Sequence, residues 1–360
     1  MMLNYLIRRL FYGILVLWGV VTVIFFLFNI LPGDAARMLM GQRTDVSSVE
    51  AIKKDLGLDQ PLADQYLNFL NDLSPLSVHE MSDKESLWYF NREKYHPAIK
   101  LFSVGKTVLV FKKPYLRRSY QSKREVSSII AEAFPKTLLL ATVSILIAMI
   151  IGIALGVLAA LYRDSTLDKF LMVFSSLGMS VPSFFAAIII AWLFAFVLAD
   201  YTGLSMFGSL YSVDDYTGGV YLNLKNLILP AITLGIRPLA IVESLTRSSL
   251  LDVLSQDYIR TAKAKGLNNY GVIIRHGLRN ALNPVLTAIT GWFASLMAGA
   301  VFVEYVFDWK GIGVVIVDAL EKYDLPVIMG AVLFISVVLI LINILVDFLY
   351  AFLDPRVRLQ

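Results

Sequence analysis

Two charged residues lie within an otherwise apolar stretch, LPAITLGIRPLAIVESLTR, and are the first candidates for chemistry. Arg237 and Glu243 would be costly in lipid unless they face a cavity or a partner. Pro230 and Pro238 could distort the helix that carries them. On such a helix an inward Arg237 could meet an anionic group such as a substrate carboxylate, so Arg237 and Glu243 mark a candidate translocation path. In the alternative, Arg237 snorkels to the interface or pairs structurally within the bundle.

The sequence contains none of the common motifs of enzyme active sites. The phosphate-binding pattern GxxxxGK[ST] fails, because Lys100 stands where the first glycine would precede Gly105 and Lys106. The motifs HExxH and GxSxG are missing as well, and a chain without cysteine has no thiolate ligand or nucleophile. The three histidines are far apart, at His79, His96 and His276. We therefore predict no enzyme activity, no catalytic residue, no metal site and no cofactor on this chain.

A basic segment, DYIRTAKAKGLNNYGVIIRHGLRNALNP at 257–284, interrupts the apolar part of the chain. Residues 251–265 are predicted to form a helix, since Ala262 and Ala264 are strong helix formers. The lysines near its end suit the C-terminus of a helix dipole. Gly266 would end the helix, because glycine readily takes the left-handed conformation usual at that position.

After the turn, Asn268 or Asn269 is predicted to cap a second helix that runs to about residue 282, before Pro284 begins the next apolar segment. Two interpretations fit this helix, turn and helix. It is either a solvated amphipathic segment at the membrane surface or a docking element. A docking element needs a rigid helix end, small residues that permit close approach and a few exposed polar groups, and YIRTAKAKG supplies all three.

The elements around these residues must be membrane helices. The chain is 57% hydrophobic and only 17% charged, whereas soluble domains carry about 25% charged residues. A membrane helix needs roughly 20 predominantly apolar residues. By this measure six spans are predicted, near 9–31, 136–161, 170–199, 227–247, 285–305 and 327–352. The first is predicted to be a retained helix, because the apolar run of a signal peptide is shorter, about 7–15 residues.

The orientation follows from lysine and arginine in the short loops, which favour the cytoplasmic side. These residues concentrate in the N-terminus, the turn at 162–169, the stretch 247–279 and the C-terminal tail. The short loops 200–226 and 306–326 are acidic instead. We therefore predict a multi-pass protein of the cytoplasmic (inner) membrane with both termini in the cytoplasm.

The loop 32–135 is predicted to lie on the extracytoplasmic side of the membrane as a small external subdomain. Its basic residues do not oppose this, because loops longer than about 60 residues translocate largely regardless of charge. SSVEAIKKDLGLDQPLADQYLNFLNDL has helical spacing, with Ser47 or Ser48 as N-cap and Gly57 as a stop. Aromatic and β-branched residues in 84–120 favour one or two strands.

Small residues recur at four-residue intervals in two of the predicted spans. Gly152 and Gly156 lie in the second span, and Gly291, Ser295 and Gly299 lie in the fifth. This spacing lets helix backbones approach closely. It predicts helix packing within one bundle or, alternatively, a homodimer face.

Several segments resemble one family of membrane proteins. AKAKG at 262–266, followed by HGLRNALNPVLT at 276–287, is similar to the EAA-type loop of the dipeptide, oligopeptide and nickel permeases of ATP-binding-cassette (ABC) importers. The resemblance extends to YLIRRL and LFNILPGDAA near the N-terminus, DLGLDQPLADQYLNFL at 55–70, and VEYVFDWKGIGVVIVDALEKYDLPVIMG from 303. Thr261 replaces the first acidic residue of the EAA pattern.

The resemblance implies an all-α integral membrane protein with six transmembrane helices in the type I importer (MetI-like) permease fold, plus the long external loop. It divides the chain into 1–31 with the first span, the external subdomain 32–135, a five-helix core 136–352 with a cytoplasmic coupling loop at 248–284, and the tail 353–360. The family's corresponding loop is shorter, which marks an insertion near 74–113.

The resemblance also implies a function and partners. The chain would be the permease subunit of an ATP-driven importer of peptides or similar small solutes, delivered by an extracytoplasmic substrate-binding protein. A second, homologous permease and two ATP-binding subunits would complete it, with ATP and Mg on the latter, and no nucleic acid is involved. The residues implied to dock on an ATP-binding subunit are Asp257, Tyr258, Arg260, Thr261, Ala262, Ala264 and Gly266.

Two other classes of protein remain as alternatives. An ion-coupled secondary transporter would need titratable residues along a span and an inverted repeat, and the sequence offers neither. A membrane-anchored receptor or scaffold would place its function in the external loop.

Overall fold

A computed structural model describes residues 2–30, 59–83, 86, 88–92, 94–214 and 218–353. The predicted caps at Ser47 and Ser48, the predicted stop at Gly57 and the tail beyond 353 lie outside these residues. The division of the chain into a membrane core, an external subdomain and a coupling loop stays a prediction.

Helices make up most of the described chain. In chain order they are α1 (Met2–Ile30), α2 (Leu62–Leu73), α3 (Val126–Leu161), α4 (Thr166–Ser180), α5 (Ser183–Trp192), α6 (Ala199–Thr202), α7 (Ile228–Leu254), α8 (Asp257–Ala264), α9 (Asn269–Gly271), α10 (Arg279–Gly299), α11 (Val301–Val306), α12 (Ile312–Glu321) and α13 (Leu325–Leu353). Two π-helical segments, Leu193–Val197 and Val272–Leu278, and a 3-10 turn, Leu224–Leu227, adjoin them.

Four helical segments of the described chain are long and apolar enough to cross a membrane. They are Ile7–Phe28, Val126–Leu161, Leu224–Leu254 and Leu325–Phe348, and they coincide with the first, second, fourth and sixth predicted spans. A bent pair of helices raises the number to five if it is one span. The predicted span 285–305 is helical, but it is not among these segments. The count of six therefore remains a prediction.

The predicted span 170–199 is not one straight helix. Thr166–Ser180 and Ser183–Val197 are bent by 112° at the break between them. Val181 and Pro182 have extended backbone there, with ψ of 127° and 139°. The cause is Pro182, because its ring disfavours the helical conformation of the preceding residue. A prediction from hydropathy alone missed this bend.

The chain divides into two compact units, of which the first comprises Met1–Tyr5, Ala133–Val314 and Val338–Gln360. Its core contains fully buried residues of α3, α5, α7 and α10 together with Phe307 and Trp309. A Cβ atom on Gly152 would lie 2.9 Å from the Leu239 carbonyl of α7, and one on Gly156 would lie 2.6 Å from the Glu243 carbonyl. These two glycines therefore serve packing within the chain, as the first interpretation predicted.

The small residues of the fifth predicted span behave differently. Among the described residues, no atom lies within 4 Å of a Cβ atom built on Gly291, and Ser295 is exposed. Packing within the described part of the chain therefore does not explain the spacing of Gly291 and Ser295.

A buried carboxylate fixes the turn before α12. Glu304 is fully buried, and its Oε2 accepts a hydrogen bond of 2.6 Å from the backbone N–H of Gly313. Cβ atoms on Gly311 and Gly313 would lie 2.4 Å and 2.7 Å from this carboxylate. The GIG sequence thus leaves room for Glu304 at the N-terminal end of the helix, a favourable position for an acidic group.

The second unit comprises Leu6–Glu132 and Val315–Val337. In it, Phe25 of α1 stacks on Phe69 of α2, with Met329 of α13 in the same apolar cluster. Thr22 and Tyr66 share a hydrogen bond of 2.7 Å. The helix Leu62–Leu73 thus confirms the helical spacing predicted for the later part of that segment, and its apolar face packs on α1.

A three-stranded antiparallel sheet follows α2, with strands β1 (Leu76–Glu80), β2 (Ala98–Val104) and β3 (Thr107–Lys112) in the order β1-β3-β2. One or two strands were predicted within 84–120, where β2 and β3 lie, and β1 was missed. In the first unit a small hairpin pairs β4 (Tyr211–Val213) with β5 (Val220–Leu222). The chain is therefore mostly helical rather than wholly so.

One buried carboxylate ties α2 to the chain around the sheet. Asp72 is fully buried and lies 3.2 Å from Lys94 Nζ and 3.0 Å from Arg117 Nε. The Tyr95 hydroxyl donates to it at 2.7 Å. Although burial raises the pKa of Asp72, the charges of Lys94 and Arg117 outweigh it and hold the pKa below its ordinary value. The carboxylate of Asp72 therefore stays ionised and joins the end of α2 to Lys94 and Arg117.

We expect the stability of this sheet to fall in mild acid because of His79. Burial and the charge of Lys112 lower the pKa of His79 from 6.5 to about 4, so the unfolded state binds a proton at a higher pH than the folded state. The contribution of neutral His79 to the stability of the sheet is fully present above about pH 6.5 and is lost as the pH falls toward about 4. Between about pH 7 and about pH 5 the loss should be about 2 kcal/mol.

The measurement is hydrogen exchange of the β1 and β3 amides at the two pH values, corrected for the intrinsic rate. His79→Phe keeps a ring against Phe90 and Tyr95 and should lose most of the pH dependence. An equal dependence in both proteins would rule out His79 as the cause.

Candidate functional site

The first helix of the basic segment, α8, is pinned to its own chain by one face. Ile259 and Ala262 are buried, and they pack with Val272 in a cluster that Val253 and Leu254 of α7 border. The helix is amphipathic because these apolar residues lie three positions apart, on one side of the helix. The other face of α8 is therefore held in a fixed orientation.

That other face carries most of the residues predicted to dock. The Asp257 and Arg260 side chains are 94% and 77% exposed and lie 3.3 Å apart. Tyr258, Thr261 and Ala264 are exposed as well, whereas Ala262 belongs to the buried face. Six of the seven residues implied by the resemblance, Gly266 among them, thus lie on an accessible surface. The seventh, Ala262, packs on the buried side of the helix.

Gly266 ends α8 as predicted. Its φ is +83°, and it donates a hydrogen bond of 3.0 Å to the Lys263 carbonyl. Leu267 donates at 3.4 Å to the Ala262 carbonyl. These two bonds form a Schellman motif, which satisfies carbonyls at the helix end. No atom of the residues that the structure describes lies within 4 Å of a Cβ atom on Gly266, so the backbone conformation, and not crowding, requires glycine here.

The second half of the segment differs from the prediction. Asn268 is the cap, because its Oδ1 accepts a hydrogen bond of 2.8 Å from the Gly271 N–H. No helix end occurs near residue 282; α9, the π-helical turn Val272–Leu278 and α10 follow one another, and Pro284 lies inside α10. A proline removes only its own N–H bond, and neighbouring contacts can satisfy the carbonyl that it frees.

Two contacts that position this region were not predicted. Asn280 Nδ2 of α10 donates to the Tyr258 hydroxyl of α8 at 2.9 Å. Arg247, near the end of α7, forms a two-pronged pair with Asp168 of α4, at 2.6 Å and 2.8 Å. Asp168 also accepts from the Asp164 N–H at 2.9 Å. The helix that leads into α8 is thereby fastened to the turn at 162–165.

The two candidate path residues lie in different surroundings. Glu243 is buried, and its Oε2 accepts a hydrogen bond of 2.5 Å from Ser175 of α4. Arg237 is exposed and has no hydrogen bond or ion pair with any residue that the structure describes. The structure thus separates the two charges, which the sequence had grouped together.

Comparisons with protein families cover most of the chain. The binding-protein-dependent transport system inner membrane component matches residues 152–359, and the N-terminal component of the same system matches 2–82. The first match alone exceeds half of the chain. The chain belongs to the binding-protein-dependent transport permeases. The residues between, 83–151, match neither family.

Individual relatives agree with this assignment. The permease is 35% identical to the di/tripeptide transport system permease DppB of Pseudomonas aeruginosa, over all of both chains. It is 36% identical to the glutathione transport system permease GsiC of Pectobacterium atrosepticum, over 99% of both chains. Among solved structures, an inward-facing MetNI methionine ABC transporter has a TM-score of 0.51 at 15% identity, covering 63% of this chain and 97% of that chain.

These matches establish the class of protein. The permease is a multi-pass inner membrane subunit of an ABC importer, and its structural neighbour shares the MetI-like fold. It works with other components of such a transporter, as its family does. Its relatives are transporter permeases, in keeping with a subunit that is not itself an enzyme.

The Asp168–Arg247 pair predicts an asymmetric response to mutation. Asp168 is 2% exposed and Arg247 is 19% exposed, so Asp168→Asn leaves a half-buried cation without its counter-ion. We expect a loss of about 3 kcal/mol in stability. The double variant Asp168→Asn with Arg247→Met removes the unpaired charge and should recover part of that loss.

Thermal unfolding of the detergent-purified permease measures both effects. If the double variant were less stable than Asp168→Asn, the loss of stability would come from the lost contact and not from the unpaired charge of Arg247.

Proposed function

We propose that this permease imports peptides or similar small solutes delivered by an extracytoplasmic substrate-binding protein. A second, homologous permease and two ATP-binding subunits complete the transporter, and ATP and Mg bind to the latter. The termini and the loop 248–284 lie in the cytoplasm. The names of the relatives support the solute class, because one transports di- and tripeptides and the other transports glutathione.

The observation that carries the coupling role is the geometry of α8. One face is buried through Ile259 and Ala262, the opposite face is exposed, and the Gly266 motif ends the helix at a defined point. A rigid exposed helix end is what an ATP-binding subunit needs in order to move the membrane domain. The docking residues are Asp257, Tyr258, Arg260, Thr261, Ala262, Ala264 and Gly266.

Coupling through such a contact is a shift in population between two states. ATP binding moves the inward-open and outward-open equilibrium only as far as its differential contact with the two states allows. Because Tyr258 is bonded to Asn280 and Arg247 to Asp168, a displacement of α8 is passed to α10, α7 and α4.

Purification and reconstitution test the function. The tagged permease, extracted in mild detergent, should co-elute with a second permease and an ATP-binding subunit, identified by mass spectrometry. In proteoliposomes with the substrate-binding protein, the assembly should take up a tripeptide only when ATP is supplied on the cytoplasmic side. Uptake without ATP, or driven by an ion gradient, would overturn the proposal.

Gly266 variants test the docking end of α8. Gly266→Val forces a β-branched residue to a φ of +83° and should strain the turn by about 1–2 kcal/mol. We expect the number of solutes imported per ATP hydrolysed to fall about fivefold or more, with normal membrane insertion. Gly266→Asn is the matched control, because asparagine tolerates the left-handed region and should retain most of the coupling. Unchanged coupling in Gly266→Val would contradict the docking role.

A further inference from the structure

Arg237 lies at the centre of a predicted membrane span. It is ten residues from each end of 227–247, which corresponds to about 15 Å of helix on either side. Its side chain is exposed on α7. The acid on the same helix is not its counter-ion, because Glu243 is buried and hydrogen-bonded to Ser175.

Arg237 lies at one end of a stripe on α7 that contains two serines and one apolar residue, Ile241. Arg237, Ile241, Ser244 and Ser248 follow one another at spacings of four, three and four, which places them on one face of a helix. Arg237, Ser244 and Ser248 are exposed and Ile241 is half-buried, although much of α7 is buried. Charged residues within a membrane span face a bundle interior or a water-filled cavity rather than lipid.

The depth of Arg237 limits which anion it can meet. Lipid phosphates lie at the membrane surface, about 15 Å away along the helix, beyond the reach of one side chain. The remaining anions are an acidic side chain of another subunit and an anionic group of the solute. The exposed Ser244 on the same face favours the solute, since its hydroxyl offers a hydrogen bond to a hydrated molecule in transit, whereas the Ser248 hydroxyl donates to the Ser244 carbonyl of its own helix at 2.9 Å.

We propose that Arg237 binds a carboxylate of the transported solute as it passes along this stripe. The guanidinium offers two parallel N–H donors that match the two oxygens of a carboxylate. The inference rests on the proposed function, because it requires that peptides or similar solutes pass through this permease. It identifies the chemical group by which solutes are selected within the membrane.

The test compares a tripeptide with its amide. Trialanine and trialanine amide are offered to the reconstituted transporter with its binding protein, and ATP-dependent uptake is measured. Arg237→Gln should lower uptake of the free acid about tenfold or more and leave that of the amide nearly unchanged, and Arg237→Lys should give an intermediate loss. Lys225→Gln, which removes an exposed charge before α7, is the control and should alter neither.

The outcomes separate the two proposals. If the wild-type transporter takes up neither peptide with ATP, the proposed function fails. If the wild type transports trialanine, and Arg237→Gln lowers both uptakes equally or neither, the carboxylate site is overturned. It is also overturned if Arg237→Gln prevents co-purification of the second permease, because Arg237 would then serve subunit pairing.

Because this chain contains no cysteine, a second test of the carboxylate site is possible. This test is sufficient by itself if the wild-type transporter does not take up trialanine amide. Arg237→Cys in the assembled transporter should react with aminoethyl methanethiosulfonate, which restores a positive charge and part of the trialanine uptake. Sulfonatoethyl methanethiosulfonate adds a negative charge and should restore none. Ala240→Cys, at a buried position, is the control for access. No reaction at position 237, or no recovery of uptake, overturns the proposal.

Discussion

Backbone contact between α3 and α7 is the constraint on which the first unit, with its core of α3, α5, α7 and α10, depends. Lipid offers no hydrophobic drive for two apolar helices to associate, so their packing depends on close van der Waals approach. Gly152 and Gly156 provide it, because any side chain at either position would overlap the facing residues of α7. The same helix presents Arg237 on one face and holds Glu243 on another, and it leads directly into α8. The positions of Arg237, Glu243 and α8 therefore depend on how α7 packs against α3.

A charged pair then fixes the orientation of the end of α7, which leads into α8. Asp168 belongs to a capped turn, and its pairing with Arg247 connects that turn to the approach to α8. Such a pair adds little net stability once the cost of removing both charges from water is counted. Its value lies in geometry, since the two parallel bonds allow only one mutual orientation. Asp72 in the second unit has a comparable role, joining Lys94 and Arg117 to the end of α2.

Local features of the sequence predicted a large part of the fold and of the docking segment. Four of the predicted spans are present as long apolar helices, because backbone hydrogen bonding in lipid leaves few other structures. The turn at Gly266 was predicted because glycine, lysine and a helical pattern coincide there. The cap was narrowed to two asparagines, and the structure selects Asn268. Residues close in sequence carry these signals.

The features that sequence alone missed depend on residues far apart in the chain or on competition between signals. Asp168 and Arg247 are separated by 79 positions, and no pattern in either segment names the other. Pro284 signals a helix end, yet the helix continues through it. The strand Leu76–Glu80 pairs with β3, which lies beyond β2 in the chain, and it is short enough to resemble a loop. Tertiary contacts decide such cases.

The bend at Pro182 changes how far an apolar stretch can reach. Residues 166–197 hold enough apolar helix for about 45 Å if straight, more than a bilayer core requires. Two arms of about 22 Å that turn by 112° separate their ends by only about 25 Å. The length of a hydrophobic run is therefore an upper limit on the distance that it crosses.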